Sequence, residues 1–130
     1  MRKSILFIVT VIMSITMAGC APDEVIRVGT PFISNGTTGA EFHTDITDSR
    51  AITDLRTVLE MEEEIEQPKD LTREPDVVFT IDRPQESVSE IWRYIWYEND
   101  GSAFLSSGER DQGFFALTKE QTDDLKRILK

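Results

Sequence analysis

A single cysteine and a single histidine in 130 residues rule out much of ordinary protein chemistry. His43 alone cannot build a multi-histidine metal site, and with no free cysteine or evident base partner nearby it points to no nucleophile–base pair. Cys20 has no second thiol with which to close a disulfide inside the chain. The seven glycines form no phosphate-cradling loop. No apolar run approaches the about 20 residues that a spanning helix needs. Basic residues are also scarce: 14 Lys and Arg stand against 24 Asp and Glu, a net charge of −10, and such a surface repels nucleic acid and anionic headgroups. Acids are plentiful, yet no carboxylate pair is set apart in the way that glycoside hydrolysis requires.

What the chain does contain begins at its N-terminus. Arg2 and Lys3 precede residues 5–17, which are apolar apart from Thr10, Ser14 and Thr16, and the small pair Ala18-Gly19 leads to Cys20. A basic tip, a short apolar stretch and small residues before a cut are the parts of an export signal. Met17-Ala18-Gly19-Cys20 resembles the lipobox of a bacterial lipoprotein signal peptide. The resemblance implies that residues 1–19 are removed and that Cys20 carries a thioether-linked diacylglycerol with further acyl chains such as palmitate. Residues 20–24 would then be a lipidated N-terminus and short tether, and residues 25–130 one extracytoplasmic domain. Each buried methylene contributes about 0.8 kcal/mol, so two or more chains hold a protein durably at the cell membrane without a transmembrane helix. Losing Arg2 and Lys3 leaves 12 basic against 24 acidic residues, a net charge of −12.

Beyond the leader the hydrophobic period sorts the elements. Residues 25–33 read as an extended segment, residues 34–39 (Ser-Asn-Gly-Thr-Thr-Gly) as a turn, and residues 41–46 as a second short strand. Ile52, Leu55, Val58, Leu59 and Ile65 recur at helical spacing behind an N-cap at Asp48 or Ser49, which predicts a helix over 49–66, stopped before Pro68. Residues 67–75 form a charged linker. Strands are expected over 77–81, 90–97, 102–106 and 114–117, with a hairpin at Asn99-Asp100-Gly101 and a turn over 108–113. Thr118 and Gln121 have capping-box spacing and open a C-terminal helix with Leu125, Ile128 and Leu129 on one face. The expected fold is α+β: an antiparallel β meander covered on one face by two amphipathic helices.

Few residues qualify as a site. His43 reads as solvated. Glu60, Glu62, Glu63, Glu64 and Glu66 suggest a calcium strip, but carboxylates on a straight helix fan apart, whereas calcium wants six to eight converging oxygens; a docking strip for a basic partner fits better. Glu98-Asn99-Asp100-Gly101 reads as a turn rather than a calcium loop. Trp92, Tyr94 and Trp96 alternate with Ile91, Arg93 and Ile95 and so share one strand face. They are either a sugar or peptide platform or a core layer beneath the helices. The area needed under two helices favours core, which would leave the Arg93 face open.

Lipobox, acidic helix, Pro75-Asp76-x-x-Phe79, Trp96-x-x-x-Asp100-Gly101-Ser102, Phe115-Ala116-Leu117-Thr118 and a short terminal helix together resemble the small YhfM-type lipoproteins of Gram-positive, Bacillus-like bacteria. The resemblance implies an envelope location and brings no catalytic residue, metal ligand or cofactor. The function expected is that of a membrane-anchored, non-enzymatic interaction module, held through lipidated Cys20, with a basic envelope protein as partner and no nucleic acid. The alternative is a lipoprotein that binds calcium or a small ligand.

Overall fold

The computed structural model describes residues 23–107 and 113–130. Cys20 and most of the turn at 108–113 lie outside them. Seven antiparallel strands form one sheet in the order β2-β1-β4-β5-β6-β7-β3. The strands are β1 (Val25–Ser34), β2 (Thr37–Ile46), β3 (Glu63–Ile65), β4 (Val77–Arg83), β5 (Val88–Tyr97), β6 (Ala103–Ser107) and β7 (Phe114–Leu117). Helix α1 (Ser49–Glu60) follows β2 and helix α2 (Lys119–Ile128) ends the chain. This is an α+β fold in which β4 to β7 make a meander.

Alternation along each strand decides which side chains meet the helices. Ile26 and Val28 of β1 pair with Ile81 and Phe79 of β4, and these with Ile91 and Arg93 of β5. Ile95 and Tyr97 pair with Leu105 and Ala103, which pair with Phe115 and Leu117. Ile26, Phe79, Ile81, Ile95, Ala103 and Leu105 are fully buried against Ile52, Leu55, Val58 and Leu59 of α1 and Leu125 of α2. Both helices therefore cover one face. Asp48 caps α1 by accepting from the Arg50 N–H, and Thr118 with Gln121 closes the reciprocal capping box of α2.

The largest departure from expectation is at the end of α1. The helix stops at Glu60, not residue 66, and Glu63–Ile65 is an edge strand paired with Phe114–Ala116 of β7. In a continued helix Glu60 would stand three and four positions from Glu63 and Glu64, and Glu62 four from Glu66, with no basic residue from 57 to 66 among them. Extended backbone spreads the charges and supplies β7 with a partner. The turn in the first hairpin is also tighter than expected. Asn35 and Gly36 alone make it, at φ 52° and 76°, and the strands run on to Ser34 and from Thr37. Positive φ at both central residues is the I′ geometry that suits strand twist.

Because β3 lies at one edge and β4 near the middle, residues 66–76 must travel back across the sheet. They do so over the face that carries no helix, where the Arg73 carbonyl accepts the Trp96 indole N–H at 2.9 Å. Pro68, Leu71 and Pro75 of this strap are half-buried.

Candidate functional site: the aromatic face

Register places Trp92, Tyr94 and Trp96 on the face opposite the helices, with Thr80, Val78, Phe104 and Ser106. The expected core layer beneath the helices is therefore wrong, and the rows are exchanged: Ile91, Arg93, Ile95 and Tyr97 point to the helices. Arg93 survives there because its charge is matched. Its Nη2 donates to Glu62 Oε1 at 2.9 Å, and its guanidinium lies 4.9 Å from the Phe115 ring centre. The two side chains are only 18% and 10% exposed.

The aromatic face falls into two parts. Near the strap, Trp96 is 9% exposed, tilts against Phe114 at 5.9 Å and donates to Arg73. That ring is structural. Further along, Trp92 meets Phe42 edge-on at 5.8 Å and Tyr94 at 6.2 Å, and all three rings are half-buried. One cross-strand row runs Asp45, Arg27, Thr80, Trp92 through β2, β1, β4 and β5. Arg27 Nε lies 3.8 Å from Asp45 and 3.5 Å from Asp82. Beside it the Thr80 hydroxyl, 1% exposed, and the Trp92 indole N–H have no hydrogen-bond partner among the described residues. Gly29 sits beneath Phe42: a Cβ there would lie 2.5 Å from the Glu41 carbonyl oxygen, so only glycine lets the two strands approach.

The other expected residues are dispersed. His43 is exposed at a bulge in β2, since Val28 pairs with Thr44 and Gly29 with Phe42, and its Nδ1 is 2.8 Å from its neighbour Thr44 Oγ1. The acidic strip does not exist as one surface: Glu60 ends α1, Glu62 is held by Arg93, and Glu63 and Glu64 point to opposite sides of β3. At the β5–β6 hairpin Asp100 Oδ1 accepts from the Ser102 hydroxyl and N–H, which holds its carboxyl below the usual range. That carboxylate serves the turn itself. Among the described residues no three His, Cys, Asp or Glu side chains gather as a metal site, and no helix is long and apolar enough to cross a membrane.

A charged cluster that sequence reading missed lies where the chain enters the domain. Arg56 of α1 bridges Glu24 and Glu90 at 2.9 and 2.8 Å beside a cleft of about 370 Å³ lined by Asp23, Thr47, Ser49, Ile52 and Thr53. Arg83 Nε lies 3.2 Å from Glu90 without hydrogen-bond alignment. The hydrogen bond from Arg56 holds the Glu90 carboxyl below its ordinary range. These residues are 32 and 34 positions apart in sequence, and no local pattern joins them.

No family model matches the chain, and no curated protein does. Among solved structures, a thioesterase-like protein from Clostridium sporogenes is similar in fold, at a TM-score of 0.56 and 18% identity over 80% of this chain and 91% of that one. At that identity the likeness concerns the course of the backbone.

Proposed function

We propose that the protein is a small lipoprotein of the cell envelope, akin to the YhfM type. In this reading it is tethered through lipidated Cys20, faces outside the cytoplasm and acts without catalysis as an interaction module. One observation carries the reading: the Phe42–Trp92–Tyr94 cluster stands half-exposed on the sheet face that no helix covers. Aromatic ring faces attract Lys and Arg side chains, and the net charge of −12 expected for the mature chain attracts the same partners over longer range. A basic envelope protein is thus the partner class that both features favour.

Capture of partners by the full-length lipidated protein from envelope extract, at low and raised salt, tests this. The expected result is a basic protein that is lost at raised salt and lost with Trp92→Ala. Thermal stabilisation by calcium or an oligosaccharide without such a partner would replace the module with a ligand-binding role. Turnover of a thioester substrate would replace it with an enzyme, as the thioesterase-like structural neighbour suggests. Mass spectrometry of the native membrane protein tests the anchor, and a mature N-terminus other than modified Cys20 would remove it.

A further inference from the structure

The two edges of the sheet are built differently. The β3 edge is three residues long and carries Glu63 and Glu64, and short, charged strands resist pairing with other chains. The β2 edge is ten residues long, without lysine or proline, its acids are limited to Glu41 and, beyond the bulge, Asp45, and among the described residues no strand pairs with its outer side.

Turn geometry fixes which backbone groups that outer side offers. The closing pair of a two-residue I′ turn, Ser34–Thr37, is hydrogen-bonded, and bonded and non-bonded pairs alternate from there. Phe32–Gly39 and Thr30–Glu41 are therefore bonded within the hairpin. Thr38, Ala40 and Phe42 turn their N–H and C=O groups outward. Pro31 agrees with this pattern. It pairs with Ala40 in a non-bonded position, so its missing N–H weakens nothing in the hairpin, and β1–β4 pairing ends two residues earlier at Gly29–Val78. The hairpin thus projects past β4 as an arm. The Phe32 ring lies over Gly39 beside the outer edge and remains 47% exposed.

We propose that the β2 edge pairs with the β2 edge of a second copy of this chain, antiparallel about Ala40, to give one continuous sheet. Centred there, Ala40 faces Ala40 and Thr38 faces Phe42, so the outward groups of each strand meet those of the other. Glu41 falls opposite Gly39, so the two Glu41 side chains stand on a diagonal, about 7–8 Å apart, rather than directly across from each other. The bulge at His43 ends the straight stretch just beyond Phe42. The chain's acidity opposes association, but charges more than about 8 Å apart are largely screened at physiological salt. Strand addition of this kind draws on main-chain hydrogen bonds and needs little side-chain complementarity.

Sedimentation of the full-length protein in detergent over a wide range of concentration tests the pairing. The expected result is about a twofold rise in protein mass, abolished by Ala40→Pro with the circular dichroism spectrum unchanged. Proline at 40 removes an outward N–H and none that the hairpin uses. Should that variant misfold, Ala40→Cys gives the answer: under mild oxidation it should form a covalent dimer. The unaltered chain and Thr57→Cys, exposed on α1, should not, a control that rests on the Cys20 thiol being blocked by lipid as proposed above. A monomer at every concentration overturns the proposal, as does a dimer that Ala40→Pro leaves intact or an Ala40→Cys chain that does not cross-link.

Discussion

The two faces of this sheet solve different problems with different side chains. Under the helices, aliphatic side chains and Phe79 interlock with α1 and α2, and the charge of Arg93 is balanced by Glu62 and Phe115. On the other face large rings rest on one another, a strap seals one end, and the middle keeps polar atoms without partners. Each face buries a polar atom that has no partner among the described residues, Thr122 Oγ1 on α2 and Thr80 Oγ1 with Trp92 Nε1 across the sheet, so the faces differ in exposure rather than in hydrogen-bond satisfaction. The contrast between these faces is thus a contrast between closure and exposure.

The sharpest way to break that contrast is to empty the helix side. Phe79→Ala should lower unfolding free energy by about 3–5 kcal/mol in denaturant titration, the range for a fully buried aromatic ring. On the same face Arg93→Met should cost about 3 kcal/mol by leaving Glu62 unpaired, and adding Glu62→Met should restore most of it. Across the sheet, Trp96→Phe should cost about 1–2 kcal/mol, because the Arg73 carbonyl loses its donor where the strap is sealed. Tyr94→Ala should cost least of the four, since its ring is half-exposed. Equal losses for Phe79→Ala and Tyr94→Ala would erase the distinction.

Two ionisable groups sharpen it further. Burial, with Asp76 nearby, pushes the Tyr97 hydroxyl up to about 12. Its neutral form is favoured in the folded state, so its contribution is complete below about pH 10 and falls away as pH rises toward 12. Absorbance titration should show a tyrosine that resists ionisation until then. Glu90 has the opposite sign. Its folded value is depressed by Arg56, so its small stabilising contribution is present above its ordinary range and is lost as acid protonates it. Glu90→Gln should flatten the acid limb of the stability curve slightly.

Much of this was legible in the residues. The Asp48 cap, the Thr118–Gln121 box and the meander appear as expected, because caps and turns are local and carry their own chemistry. The orientation of β5 was not. Both of its rows are largely apolar, so alternation shows two rows without saying which is inside, and Arg93 is a false marker of solvent. Its aliphatic stem packs while its head finds a carboxylate from Glu62, 31 positions away. Strand β3 was hidden for a related reason: three residues of Glu-Glu-Ile become a strand only because β7 offers an edge to pair with.

That pairing sets an order of events. Glu63 meets Ala116, and more than fifty residues must be in place before the contact can exist. β1 and β4 close a comparable span with five residue pairs, whereas β3 closes its span with three, so the β3 pairing offsets less of its closure entropy and forms late. As the chain emerges from N to C, the first hairpin and α1 can organise early, while β3 and the strap behind it wait for the last strand. The seal over Trp96 then arrives near the end of folding, after the sheet beneath it is built. The same order run backward makes this edge the first place to open, and amide hydrogens of β3 should exchange before those of β4.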